Sequence, residues 1–347
     1  IYFGVPINIT DPAGNRLYKY YAQDNDKAQQ SEHESFVLQY ADFFNAADPP
    51  GVQVNYLELI LSLHELNELI AKDFVMVFVA IAGEYEKEIL EELMETIKDP
   101  SKKIVLNKEI SNLNRSFATR ISGEIAAIHG NAGLPDGTIT LNVKGTTGQS
   151  LGAFMSKGIN INVDGAGNDY IGKGMNGGQI VITSENAGHK FALGGNTCLY
   201  GATGGTLYIH GKVGERFGVR NSGATTVVEG TGDHPCEYMT GGVAVILGET
   251  GVNFGAGMTG GKAFVYDMEG KFYEKVNPEL VEPLRIDTDE WDSEMFELKA
   301  LLKDYVAKTG SVRASYILEN FRSEIRKFWM VAPRGLKPTI VSGAKGE

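Results

Sequence analysis

The phrase Thr203-Gly204-Gly205-TLYIH returns as Thr240-Gly241-Gly242-VAVIL and Thr259-Gly260-Gly261-KAFVY. Variants of it stand at Ser156-Lys157-Gly158-ININV, Asn176-Gly177-Gly178-QIVIT and Asn221-Ser222-Gly223-ATTVV. An earlier rung starts at Gly137 with TITLNV. From Gly137 to Gly261 the anchor glycines lie 21, 20, 27, 18, 19 and 19 residues apart, a period near twenty with one insertion between Gly178 and Gly205. A fixed period of that length marks a solenoid, each repeat forming one coil.

Positions two and four after the anchor pair as Ile180/Ile182, Leu207/Ile209, Thr225/Val227, Ala244/Ile246 and Ala263/Val265, and the Gly137 rung agrees with Ile139/Leu141. Side chains two apart on a strand share a face, so each pair is expected to point into a common core. The Gly158 rung breaks phase, with Ile159, Ile161 and Val163 apolar instead, which predicts a bulge or a shifted corner there. Before most corners runs a second strand-like stretch: Ser150-LGAFM, Tyr170-IGKGM, Leu199-YGAT, Arg216-FGVR, Glu237-YMT and Asn253-FGAGM. Each coil is therefore expected to hold at least two strands and tight glycine turns. Parallel crossovers are nearly always right-handed, so the expected fold is mainly β: a right-handed parallel β-helix solenoid with flanking α-helices and a small α+β N-terminal segment.

Net charge is −12, from 32 basic and 44 acidic side chains, which argues against non-specific binding to nucleic acid or anionic membranes. No run approaches the length of a membrane span; the ten-residue apolar run Phe74–Gly83 is read as a buried strand. A charged segment followed by an apolar one is missing from the N-terminus, and Cys198 and Cys236 stand alone. Both features lead to the expectation of a reducing, cytoplasmic setting.

Three regions are expected. Residues 1–83 form a mixed segment with a hairpin turning at Asp11-Pro12-Ala13-Gly14-Asn15 and helical stretches near 28–45 and 54–72. Residues 84–275 comprise an acidic amphipathic helix at 84–98 and the solenoid, roughly 104–275. Between them Asn112–Gly130 is expected to hold a helix capping the first coil, because open coils expose edges and an apolar end. Residues 276–347 carry two helical patterns. One spans 288–308 with Trp291, Met295, Leu298, Leu302 and Val306 on one face. The other spans 312–328 with Tyr316, Ile317, Phe321 and Ile325. Both faces need a partner, most simply the solenoid or a neighbouring chain.

The densest chemistry lies at Glu229–Met239, where Asp233, His234, Cys236 and Glu237 crowd together. A Cys/His pair can make a thiolate nucleophile, but sequence neighbours on a tight coil rarely converge and nothing supplies an oxyanion hole, so a structural corner is expected. Gly172-Lys173-Gly174 and Gly255-Ala256-Gly257 look like pieces of a phosphate loop. Strands follow them where a helix N-terminus is needed, so coil geometry explains them better. Arg216, Arg220 and Asn221 flank one coil, and Asn114, Arg115 and Arg120 precede the solenoid. Each could meet an anion, a partner carboxylate or local backbone. His129, His189 and His210 are scattered, so no metal site is expected. Aligned rungs give no row of carboxylates and bases, which weakens a polysaccharide lyase.

Several of these stretches carry a resemblance. Asn112-LNRSFATRIS-Gly123, Leu134-PDGTI, GTTGQSLGAF at 145–154, Asn168-DYIGKGMNGG, Gly214-ERFGVRNSGATTVVEGTGDHPCEYMTGG and Asn253-FGAGMTGG are similar to the C-terminal GXGXG domain of the glutamate synthase large subunit. Tyr305-VAKTGSVRASYILENF resembles that domain's helical end. The likeness covers about 84–342; Leu113 and Ala118 depart from it, standing where the family has a small polar residue and a glycine. The resemblance implies a right-handed β-helix without catalytic, cofactor or metal residues of its own. It implies a scaffold that braces a glutamine amidotransferase against an FMN-binding synthase, in a stand-alone subunit of a hetero-oligomer. FMN and iron–sulfur clusters are then expected in the partner subunits. Two alternatives stay open: a β-helix subunit of an N-methylglutamate synthase or formylmethanofuran dehydrogenase type complex, and an autonomous enzyme using the Asp233/His234/Cys236 corner.

Overall fold

The computed structural model describes residues 7–10, 16–20 and 75–338, with side chains from residue 85 onward. Contacts divide the chain into two units, Ile1–Ile81 and Ala82–Glu347. In the first, β1 (Ile7–Thr10) and β2 (Arg16–Tyr20) pair antiparallel as the expected hairpin, with Ile7 opposite Tyr20. The helical stretches expected near 28–45 and 54–72 lie outside the described residues.

Helix α1 runs Val75–Lys98, which corrects the reading of Phe74–Gly83 as a strand. A short apolar run has no period of its own, and here it continues directly into the helix-forming EYEKEILEELMETIK. Leu93 and Ile97, with Ile89 and Leu90, bury one stripe of α1 in the solenoid core.

Eight parallel strands follow in chain order: β3 (Ile104–Ile110), β4 (Ile139–Thr146), β5 (Ile159–Ala166), β6 (Asn176–Thr183), β7 (Gly204–Lys212), β8 (Ser222–Gly230), β9 (Thr240–Ile246) and β10 (Gly260–Tyr266). This is the expected parallel β-solenoid. Helix α2 (Thr119–His129) leaves between β3 and β4 and closes the first coil, burying Ile121 and Ile125. The far end closes differently: β11 (Val281–Arg285) and β12 (Phe328–Pro333) join the sheet, β12 lying antiparallel to β10. That pairing occupies an edge that would otherwise template aggregation.

Two stacked rows fill the core. One runs Leu141, Ile161, Ile180, Leu207, Thr226, Ala244, Ala263; the other runs Val143, Val163, Ile182, Ile209, Val228, Ile246, Val265. The Gly158 rung thus stays in step with its neighbours, and only its corner is displaced by one residue. In β8 the expected inward pair Thr225/Val227 is wrong, since Thr226 and Val228 face the core while Val227 is buried on the opposite face. The cause is a bulge between Ser222 and Thr225. Asn221, fully buried, creates it: its Oδ1 accepts the Ala224 N–H at 2.9 Å and its Nδ2 donates to the Ala224 carbonyl at 2.9 Å. One extra residue shifts the phase, and a one-residue slip reverses every side chain.

The outer face of the sheet changes character along the stack. Asn107, Asn142 and Asn162 form a hydrogen-bonded ladder at 3.0 and 2.9 Å, after which the same row continues as Val181, Tyr208, Val227, Val245 and Phe264. Helices α3 (Asp292–Thr309) and α4 (Val312–Glu319) cover that apolar half. The solenoid, therefore, is the partner that their faces required. Leu298, Leu302 and Tyr305 are fully buried there, and the Tyr305 hydroxyl has two acceptors for its one proton, the Ile209 carbonyl at 3.0 Å and the buried Glu229 carboxylate at 3.1 Å. The helix expected at 312–328 is shorter: it stops at Glu319, and Phe328 already belongs to β12. Tyr316, placed on its buried face by spacing, is 52% exposed.

Candidate interaction surface

The stretches read as second strands are turns. In each, alternate residues adopt positive φ: Ser150, Gly152, Phe154; Tyr170, Gly172, Gly174; Thr197, Leu199, Gly201; Arg216, Gly218, Arg220; His234, Cys236, Tyr238; Asn253, Gly255, Gly257. A strand cannot form with that alternation, because every second peptide is reversed. The reversal sends N–H groups to both neighbouring coils. The first member of each triplet from Ser150 to His234 donates forward, to Asp169, Asn196, Glu215, Asp233 and Val252, at 2.7–2.9 Å. The middle members donate backward, as in Gly172 to Leu151 at 2.8 Å and Cys236 to Phe217 at 2.7 Å. Phe154, Gly174, Gly201, Arg220 and Tyr238 donate forward again. A second side of the solenoid is thus a ladder of turns, bonded both ways.

An earlier row, Ser116 and Ala118, has no coil behind it. A buried side chain takes the Ala118 N–H in place of a preceding coil and at the same time caps the start of α2: Glu86 of α1 accepts the Ile121 N–H at 3.1 Å, and the Arg120 and Ala118 N–H groups also bond to it. Burial pushes the Glu86 carboxyl up to about 7, against the opposing pull of those N–H groups and of the Arg120 charge.

The candidate residues divide on this frame. Asp233 Oδ1 accepts the Val252 N–H at 2.9 Å, just as Asp169 accepts from Asn196 at 2.7 Å and Asn196 from Glu215 at 2.8 Å, so Asp233 is one step of a side-chain stack along the corners. His234 Nδ1 lies 2.8 Å from Glu237 Oε1, and Asn253 Nδ2 approaches the same two atoms at 3.1 and 3.0 Å. Cys236 is fully buried, and burial pushes its thiol up to about 12, as it does that of Cys198. A nucleophile needs an accessible thiolate, which Cys236 does not offer. Asn221 holds the β8 bulge, and Asn114 Oδ1 closes a local turn onto the Ser111 N–H at 2.8 Å. Arg115 and Arg120 are exposed on the first row. The N–H groups of Gly172, Gly174 and Gly255 are spent on carbonyls of neighbouring coils.

The outside of the ladder that carries Arg216 and Arg220 also carries, on other rows, three residues that spacing did not single out: Phe154, Tyr170 and Tyr238. The signal was present in the sequence, since each occupies a position that is glycine or small and polar in other rows.

The class of protein that this architecture defines is a parallel β-solenoid whose second side is a ladder of alternating turns. Residues 86–334 match the GXGXG motif family, and the chain belongs to that family. It is 51% identical over 230 residues to the ferredoxin-dependent glutamate synthase of Pyropia yezoensis, covering 65% of this chain and 15% of that protein. It is 42% identical over 259 residues to the large chain of NADPH glutamate synthase from Bacillus subtilis (73% and 17%), and 45% identical over 240 residues to the NADH glutamate synthase of Schizosaccharomyces pombe (68% and 11%). The chain thus spans about 15% of the length of the curated relatives it matches. No helix among the described residues is long and apolar enough to cross a membrane.

Proposed function

We propose that this chain is a non-catalytic scaffold of a glutamate-synthase-type enzyme, bracing a glutamine amidotransferase and an FMN-binding synthase in a hetero-oligomer. On this reading FMN and iron–sulfur clusters reside in the partners. The observation that carries it is the use to which the corner residues are put. The Asp233 carboxylate and the positive-φ N–H groups from Ser150 to Tyr238 bond coil to coil, Asn221 holds the β8 bulge, and Cys236 is sealed in the core, so these polar groups are consumed in building the solenoid. Similarity to segments of glutamate synthases supports the choice of enzyme class.

The test is affinity purification of the tagged full-length chain from its native host, followed by size-exclusion chromatography. Flavin absorbance and glutamine-dependent glutamate formation are expected in the same peak as the chain. A chain that elutes alone, with neither, would overturn the proposal.

A further inference from the structure

Positive φ costs a residue with a Cβ about 1–2 kcal/mol relative to glycine. The third position of the turn ladder is glycine in three rows, at Gly174, Gly201 and Gly257, yet Phe154, Arg220 and Tyr238 hold it in the others, with φ of 55°, 56° and 52°. At the first position Tyr170 and Arg216 do the same, with φ of 62° and 58°. These five side chains stand outside the core, with Lys173 Nζ 5.4 Å from the Tyr170 ring centre. Phe154 is 55% exposed, Tyr238 56% and Tyr170 37%, and both arginines are exposed without an ion pair among the described residues. Strain kept at exposed positions points to a use outside the fold.

The aromatic rings also have a prepared floor. The Phe154 ring lies over Gly174, 2.7 Å from where a Cβ would stand, and the Tyr238 ring lies over Gly257 at 2.5 Å. Any side chain on the following coil would lift the ring. Glycine there lets the ring rest against backbone while more than half of each aromatic residue stays exposed.

The apolar half of the outer sheet and the two ends of the solenoid are already covered: α3 and α4 lie over the first, and the ends are closed by α1 with α2 and by β11 with β12. Six turn rows at strand spacing extend about 24 Å, the scale of a patch burying about 800 Å² per partner.

We propose that this turn-ladder face, through Phe154, Tyr170, Tyr238, Arg216 and Arg220, docks against a carboxylate-bearing surface of the catalytic glutamate synthase polypeptide. The inference rests on the scaffold reading above. Two unpaired guanidinium groups call for carboxylates, which they can grip bidentately, and exposed aromatic rings and arginines on one face are the residue types that anchor protein interfaces. Only 15% of the Pyropia relative's length corresponds to this solenoid, so the surface it meets belongs to the remainder of such a polypeptide.

Glycine substitution separates docking from folding. In Phe154→Gly/Tyr238→Gly, and independently in Arg216→Gly/Arg220→Gly, the backbone conformation becomes easier to hold, so thermal midpoints at or above wild type are expected. Each tagged full-length variant is expected to capture at least tenfold less of the catalytic polypeptide from host extract, identified by mass spectrometry and flavin absorbance. If wild type captures that polypeptide and both folded variants capture it equally, the docking face is wrong while the scaffold reading stands. If wild type captures none, the scaffold reading fails and the docking proposal falls with it.

Discussion

Thr226 shows how much one side chain can reveal about the register. It sits fully buried in the core row between Leu207 and Ala244, and its hydroxyl has no hydrogen-bond partner. A buried unsatisfied hydroxyl costs about 1–3 kcal/mol. Thr226→Val keeps the shape and removes the penalty, so urea denaturation should show a stability gain of about 1 kcal/mol with an unchanged slope; a loss would mean that the hydroxyl is bonded in solution. The two cysteines make a second residue-scale case. With burial holding both thiols up to about 12, a thiol reagent at pH 8 should label neither in the native protein and both after unfolding. Native labelling of Cys236 would reopen the nucleophile reading. Spacing alone placed Thr225 and Val227 inward because it could not see the bulge. What shifts the phase is the Asn221 amide gripping Ala224, an interaction between side chain and backbone that no apolar period records.

Elements at the two ends solve the problem of an open stack in different ways. At the C-terminal end an antiparallel strand, β12, continues the sheet. At the N-terminal end the turn ladder gives way to α2, and Glu86 receives the Ala118 N–H together with the N–H groups of that helix's first turn. The carboxyl ordinarily titrates at 4.5 and is raised to about 7 in the fold, so it holds a proton more tightly when folded. Below pH 4.5 both states are protonated and the group is neutral in its effect. As pH rises from 4.5 to 7 the unfolded chain releases the proton first and stability falls, by about 3 kcal/mol once both states are ionised. In Glu86→Gln the amide oxygen still accepts an N–H but nothing titrates. Its urea midpoint should therefore lose this part of the decline between pH 5 and 8; an equal decline in both proteins would show that another group is responsible. The capping role of the Asn112–Gly130 helix was legible from sequence, whereas Glu86 was not. Its function depends on meeting Ile121, thirty-five positions away.

For the whole molecule, stability is built coil on coil. Each rung bonds only to its neighbours, so opening is expected to begin at the least covered end. Strand β3 has an exposed alternating face and stands at the sheet edge, while β8 is buried on both faces under α3. Native-state hydrogen exchange should find β3 amides exchanging at least tenfold faster than those of β8. Uniform protection along the stack would instead indicate one cooperative unit.

Sequence by itself determined the solenoid, its number of glycine-anchored rungs and the pattern of two helices near the end. Those features repeat locally, and a period near twenty survives any later adjustment. It also contained the change from alternating rungs such as ININV to continuous apolar rungs such as VAVIL, the mark of a sheet covered on both faces. Only the tertiary structure decided which residues of β8 face inward, that the second side is turns and not strands, and which aromatic residues stand outside. The sign of φ at each corner is held by hydrogen bonds to the coils before and after it. Those coils are a full repeat away in sequence, where neither spacing nor residue type at the corner can report their position.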